Sequence, residues 1–506
     1  MTEKVSGRTA PMLRRVAVIG GGITGLAAAQ RLASRSDNTH IVVFESSQRL
    51  GGIIRTETAD GFLMELGPDS FITNKPGAIQ LCSEIGFRDQ LIPTDSRFRR
   101  SLVLRNGKPV PVPDGFMLMA PTKPWAILTT PILSLAGRLR LLCEVFVARR
   151  KQFDDDDESL ASFVRRRFGQ QALERLVQPL VGGIYTADPE KLSLKATLPR
   201  FVEMEQSHGS VIRATLAQQK QEHERAANGR DSSSEESSGS GARYGMFATA
   251  GGGLSEMVAA LEQDLRRSGR VDFQLGVKVT GMSRTTDSGS QWMLQLQNQA
   301  AMSFDAVIVT LPTHSAARIL EAAISQELQA ALGRIEYASS AIVVSGHQLS
   351  DFAHPMDAFG LVIPAIEGRR ILAVSFSSRK FRDRAPEGQI LLRTFVGGAM
   401  QPELLKQDDD TIVGIVNEEL RSIFGMNAEP MFSEVIRYNH AMPQYNVGHL
   451  ERVARITTLL KETPGLQLAG SSYTGVGIPD SIASGWAAAD NVIQHVAGQV
   501  HREQHA

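Results

Sequence analysis

Cysteine is almost missing: the 506 residues hold two, Cys82 and Cys143, far apart in the chain. That excludes a Cys-x-x-Cys dithiol relay and a metal cluster of recognisable spacing, and no metal site is expected. Both thiols are expected to be buried and reduced, as in a cytoplasmic protein. An excess of one charge is missing too, with 54 basic against 54 acidic side chains. A nucleic-acid partner, which a basic face or arm would announce, is therefore not expected, and a strongly acidic scaffold is excluded. No run reaches ~18 uninterrupted apolar residues, so no membrane-spanning helix is expected. The charged segment Met1–Arg15 has no apolar core, so no cleavable signal peptide is expected. Aromatics make up only 6%. What remains is a large neutral chain, two to four domains at roughly 100–200 residues each.

The first feature present is an apolar run, Val16 to Ile19, that passes into Gly20-Gly21-Gly22-Ile23-Thr24-Gly25 and then into an Ala/Leu-rich helical stretch. A second run, His40 to Phe44, ends at Glu45, 20 positions after Gly25. Strand, glycine turn, helix, strand and acidic residue make a βαβ unit of dinucleotide-binding type. The glycines allow the turn, the approach of a pyrophosphate and close helix packing, and the helix N-terminus favours the negative charge. Arg49-Leu50-Gly51-Gly52 and Glu65-Leu66-Gly67-Pro68-Asp69-Ser70 follow, two further turns suited to a longer diphosphate ligand folded against the domain. A nicotinamide-type domain does not call for them. Gly251-Gly252-Gly253 precedes a helix but shows no strand before it and no full motif, so a second nucleotide site is not expected.

Farther along, residues 95–217 read as mostly helical, with a solvated charge block at Asp154–Glu158 before a helix at Ser159–Phe168. Residues 218–243 turn polar and Ser/Gly-rich and read as a disordered surface insertion. Short β-rich runs follow at 341–345, 359–363, 371–375, 389–396 and 433–437, the pattern of a mixed or antiparallel sheet. The segment from Leu466 to His495 again reads as strand, glycine turn and helix.

The set from Val16 to Ser70 resembles the FAD-binding half of the flavin amine oxidase superfamily. Gly182 to Ser193, Tyr438 to His449 and Gly470 to Gly485, with Ser70 to Pro76, resemble the protoporphyrinogen/coproporphyrinogen oxidases within it, over nearly the whole chain. The resemblance implies an α/β (α+β overall) fold: a discontinuous Rossmann-like FAD-binding domain over 11–75, 245–315 and 455–506, a mixed-sheet substrate domain over 76–94 and 316–454, and the helical region at 95–217. It implies FAD contacts at Gly20, Gly21, Gly22, Ile23, Thr24, Gly25, Glu45, Arg49, Gly51, Gly52, Gly67, Pro68, Asp69 and Ser70. Val279 is implied on the adenine side, and Val476, Gly477 and Ile478 beside the isoalloxazine ring. Asn439 departs from relatives that place a tryptophan close by.

The activity so implied is six-electron oxidation of a porphyrinogen to a porphyrin in haem biosynthesis, with O2 reoxidising the flavin to give H2O2. The substrate, coproporphyrinogen III or protoporphyrinogen IX, carries carboxylates, so cationic side chains are expected in its pocket. Arg100, Lys75, Tyr445 and His449 are the candidates. No catalytic acid or base is assigned, because positioning over the flavin can suffice for a bridge hydrogen activated by two pyrroles. The apolar stretch Phe116 to Leu142 reads either as a peripheral patch on the inner face of the cell membrane or as the mouth of a porphyrin pocket. Transfer of product to a ferrochelatase is the partner the family suggests; oligomeric state stays open. An amine oxidase or a carotenoid desaturase on the same fold, and a flavin-bound tetrapyrrole-binding protein, are the competing readings.

Overall fold

The computed structural model describes residues 13–113, 115–117, 119–121, 123–150, 157–227, 247–285 and 291–505. Arg14–Ile19 is the central strand of a five-stranded parallel sheet, flanked by Thr39–Glu45 and Ala306–Val309, with Val271–Leu275 and Leu466–Leu468 at the edges. Val16, Ala17 and Val18 are solvent-free because both faces of the sheet are covered. Helices Ile23–Arg35, Leu254–Arg267 and Ile478–His505 cover one face. Three antiparallel strands, Val279–Arg284, Trp292–Leu296 and Met302–Phe304, cover the other. The first and last of these helices touch so closely that a Cβ on Gly485 would lie 2.3 Å from the Thr24 carbonyl oxygen. Arg31 ties them with two bonds to Asp490, at 2.9 and 2.8 Å.

The second layer is a mixed seven-stranded sheet in the order Phe432–Pro443, Tyr337–Gln348, Gln389–Gly397, Ala373–Phe376, Gly360–Val362, Ser101–Arg105, Lys108–Pro111. Only the pair formed by Gly360–Val362 and Ser101–Arg105 is parallel. The β-rich runs after residue 340 are all in it. The hairpin 101–111 lies inside the stretch read as mostly helical, and the reason is local. Asn106 and Gly107 both have positive φ, at 49° and 73°, the pair that a two-residue hairpin turn prefers.

The helical lobe packs on the same sheet through Val103 and Val362. Inside it Arg167, fully buried, pairs with the equally buried Glu144 and with Glu205. The charge block before helix Leu160–Arg167 is not simply solvated: Asp157 accepts from Ser193 Oγ at 2.8 Å and from the Gly448 amide at 2.9 Å, and Glu158 pairs with Arg166 at 2.9 Å. Residues 154–156 lie outside the described residues. Cys82 is buried as expected, but Cys143 is exposed, because the turn following helix Leu135–Leu142 points it outward. The first ten residues of the polar stretch 218–243, read as disordered, instead continue helix Val211–Ala227, and residues 228–243 lie outside the described residues. Of the apolar segment 116–142, Phe116, Met119, Ile127, Ile132, Leu133 and Leu141 are buried in the lobe, while Leu135 and Leu139 are exposed. Among the described residues no helix is long and apolar enough to cross a membrane.

Candidate functional site

The glycine turn at the end of the central strand forms a cradle made of backbone. A Cβ on Gly25 would sit 2.0 Å from the Gly20 carbonyl oxygen, so only glycine lets the helix begin this close to the strand. Helix Ile23–Arg35 starts with no side-chain cap and no acidic residue in its first turn. Its leading N–H groups are thus available to an anion. Glu45 accepts from the Gly21 amide and the Ser47 amide, both at 2.8 Å, which fixes its carboxylate beside the cradle with lone pairs to spare. Val277 donates to the Glu45 carbonyl at 3.0 Å and brings buried Val279 to the same side.

The second turn packs directly on the first. Gly51 donates to the Gly21 carbonyl at 2.8 Å, and Arg49 folds back onto the carbonyls of Gly52 and Ile54 at 2.6 and 3.0 Å. The Arg49 side chain therefore braces the turn. A Cβ on Gly67 would meet the Ile53 carbonyl oxygen at 1.8 Å, so the third turn too needs glycine. Ser70 donates to Asp69 at 2.8 Å, and Pro68 separates that pair from Gly67. An uncapped helix start, a carboxylate acceptor beside it and three interlocked turns fit a long dinucleotide.

At the other end, Gly477 leads into helix Ile478–His505, and Val476 packs against the helical lobe. Lys75 is paired with Asp480 in the first turn of this helix, at 2.7 and 2.8 Å. Tyr445 and His449 are buried and stacked, with ring centroids 3.8 Å apart. Tyr445 donates to the Ser471 carbonyl at 2.6 Å, and His449 Nε2 lies 3.1 Å from the Tyr473 carbonyl, so the pair backs the 470–477 turn. Burial pushes the Tyr445 phenol up and the His449 imidazole down to about 4, which keeps both neutral. Arg100 lies elsewhere, at the rim of the seven-stranded sheet, paired with Asp357. Arg100 thus stands apart, while Lys75 and the Tyr445–His449 pair all lie at the 470–480 turn.

Residues that carry no local signature hold the two layers together. Lys380 reaches Asp69 at 2.9 and 3.0 Å, and Arg393 reaches it at 3.3 Å and also bonds the Gly67 carbonyl. Burial alone would raise the Asp69 carboxyl, but the Lys380 and Arg393 charges outweigh it and hold the group far below the usual carboxylate range. Tyr438 donates to the Leu66 carbonyl, and the Tyr337 hydroxyl joins the Thr313 amide at 2.8 Å to Ser472 Oγ at 2.6 Å. Gly251-Gly252-Gly253 does follow a strand, Phe247–Ala250, but one in an antiparallel sheet with Phe71–Ile72 and Leu91–Pro93. The helix it opens is met by the buried carboxylate of Glu65, which accepts from the Leu254 amide at 2.7 Å, so a side chain of the chain itself fills the anion position.

The model of the flavin-containing amine oxidoreductases matches residues 23–493. The chain belongs to that family. Within it, the coproporphyrinogen III oxidase of Bacillus subtilis is 34% identical over 490 residues, covering 96% of this chain and 98% of the relative. That of Propionibacterium freudenreichii is 34% identical over 97% of this chain and 94% of its own. Protoporphyrinogen oxidase 2 of Arabidopsis thaliana is 31% identical over 98% and 95%. A candidate protoporphyrinogen oxidase from Exiguobacterium superposes with a TM-score of 0.81 at 27% identity, covering 96% of this chain and 99% of that one. This flavin amine oxidoreductase is therefore an oxidoreductase of the porphyrinogen oxidase group, and its family cofactor is a flavin.

Proposed function

We propose that the protein oxidises coproporphyrinogen III to coproporphyrin III with FAD as resident cofactor, consuming three O2 and releasing three H2O2 as six hydrogens leave the macrocycle. The observation that carries this is the extent of the likeness to coproporphyrinogen III oxidases, which runs through both the cradle and the seven-stranded sheet. Bound FAD would supply the acceptor for three successive hydrides from methylene bridges, each accompanied by loss of a proton. The chain's own part is binding and orientation. The first helix and Gly20 to Gly25 would hold the pyrophosphate, Glu45 the ribose, Gly51, Gly52 and the 67–70 turn the body of the cofactor, and Val476 to Ile478 the ring. The start of helix Ile478–His505 near the ring favours negative charge there, with Lys75 adding a cation to offset Asp480. Buried, neutral Tyr445 and His449 fix the turn behind it without trading protons.

The test is anaerobic mixing of the yellow protein with coproporphyrinogen III, protoporphyrinogen IX and a simple amine in turn, following flavin bleaching and porphyrin fluorescence. Bleaching by coproporphyrinogen III with matching porphyrin fluorescence is expected, at a higher kcat/KM than with protoporphyrinogen IX. Bleaching by the amine alone, or by nothing, overturns the reading, and the reverse preference overturns the choice of substrate.

A further inference from the structure

Strand Phe432–Pro443, at the edge of the seven-stranded sheet, does not run in even register with its neighbour. Ala338 pairs with Met442 and Ser340 with Tyr438, so the one residue Ser339 stands opposite three, Asn439, His440 and Ala441. A bulge of this kind bends the strand and re-aims a side chain it carries. His440 sits at the middle of it with φ at 47°, in the left-handed region, and its amide donates to Ser339 Oγ at 2.9 Å. Its imidazole is brought across the seam between the two layers, to 6.4 Å from that of His314 between ring centroids.

His314 belongs to the flavin layer. It lies in helix Thr313–Ile319, which follows Ala306–Val309 of the parallel sheet, and so stands past the carboxyl end of that strand, where open α/β sheets bind their ligands. Between strand and helix, Thr310 Oγ1 lies 3.0 and 3.1 Å from the carbonyls of Ile19 and Gly20, which places this loop beside the glycine cradle. The His314 ring meets the Tyr337 ring edge to face, 4.9 Å between centroids, and the Tyr337 hydroxyl reaches Ser472 of the 470–477 turn. Arg318 follows His314 by four residues, which puts both on one side of the helix.

His314, Arg318 and His440 are all open to solvent. Among the described residues none of the three side chains has a hydrogen bond or an ion pair. Of the elements packed against their helix, Gln326–Gly333 carries Glu327, which is engaged by Arg455, and Val279–Arg284 brings Arg284 as its charged residue. Burial, then the charges of His440 and Arg318, hold the His314 imidazole below its ordinary value, with no carboxylate opposing them. Two imidazoles alone could share a metal ion, but a guanidinium beside them repels a cation and attracts an anion.

We infer that His314, Arg318 and His440 form a binding site for one carboxylate of the tetrapyrrole, at the seam of the two layers beside the 470–477 turn. This rests on the porphyrinogen reading above. A guanidinium and two imidazole N–H groups all donate to a carboxylate, and an anion among them removes their mutual repulsion. The site anchors the substrate and leaves the chemical step alone.

The experiment compares the FAD-loaded wild type with His314→Gln, Arg318→Gln, the two combined, and His440→Asn, asparagine also accepting the left-handed backbone. For coproporphyrinogen III, KM is expected to rise about threefold in each single variant and about tenfold in the double, with kcat changed by less than about twofold. Fluorescence titration with coproporphyrin III should show the same losses. Titration with its tetramethyl ester should show none, because the ester keeps the ring and lacks the charge. Unchanged KM in the double variant overturns the assignment. So does a parallel loss with acid and ester, which would mark a packing role, and so does a fall in flavin content, which would mark a contact with the cofactor instead. If the wild type oxidises neither porphyrinogen, the parent reading fails, and the titrations still decide the site: acid weakened with ester unchanged supports it, and any other pattern overturns it.

Discussion

At residues 20–25 the cradle is held by main chain against main chain, whereas at residues 66–70 a main-chain approach at Gly67 is joined by side chains reaching across from the seven-stranded sheet and the short helix Ser377–Lys380. Gly25 leaves a carbonyl no room for a Cβ. Asp69, Gly67 and Leu66 are gripped instead by Lys380, Arg393 and Tyr438, each more than 300 positions away. A contact made by backbone tolerates almost no substitution and needs a fixed local spacing. A contact made by side chains needs only charge and reach, so it depends on packing rather than spacing.

The sharpest way to break this contrast is Gly25→Val. It should cost about 4 kcal/mol or more and yield protein without bound flavin, read from visible absorbance per mole of chain. Normal flavin content would mean that the cradle is not limited by backbone approach. Next is Asp69→Asn, which strips the partner from two largely buried cations and should cost about 3 kcal/mol near pH 7. Because the native carboxyl lies below its ordinary 3.8, its stabilisation is complete above that value and is lost as pH falls through the native one. The gap between wild type and variant in urea midpoint should therefore narrow below about pH 4; a constant gap would show that charge is not what holds the turn.

A smaller effect is expected at His347, buried in the seven-stranded sheet and depressed to about 4 by burial. Between the ordinary 6.5 and that value the unfolded chain binds the extra proton, so stability falls as pH drops through this window. His347→Gln should flatten that fall by about 3 kcal/mol, read as urea midpoints from pH 7 to pH 4. An unchanged slope would remove His347 from the acid response. Least is expected from Glu262→Ala, which breaks an exposed one-turn pair with Arg266 at 2.7 Å and should shift stability by under ~0.5 kcal/mol in a thermal melt. A larger loss would mean that exposed ion pairs hold the flavin layer as the largely buried ones hold the 66–70 turn.

The same contrast decides what could be read in advance. Strand, turn and helix around Gly20 to Gly25, and the β-rich runs after residue 340, were legible because periodicity and glycine spacing are local properties. Hairpin 101–111 was readable in principle from Asn106-Gly107, but the helical character of its surroundings masked it. The strand before Gly251 was short and lay against a charged, polar neighbourhood, which hid it. Lys380, Arg393 and Glu65 had no local mark. Each is an ordinary charged residue until folding puts its partner beside it. Asp157 shows the reverse error, since a run of carboxylates looks solvated until one of them finds a hydroxyl and an amide.

The pairing of helix Ile23–Arg35 with helix Ile478–His505, sealed at Gly485 and by Arg31 with Asp490, bears on how the protein is made. The glycine cradle leaves the ribosome well before Ile478–His505, the helix that covers its flank. Until then the apolar side of the first helix has no permanent cover, and an emerging chain must keep that surface from other nascent chains. Cofactor capture is thereby tied to the arrival of that helix, and a chain cut short before residue 478 would present a nucleotide motif that cannot close.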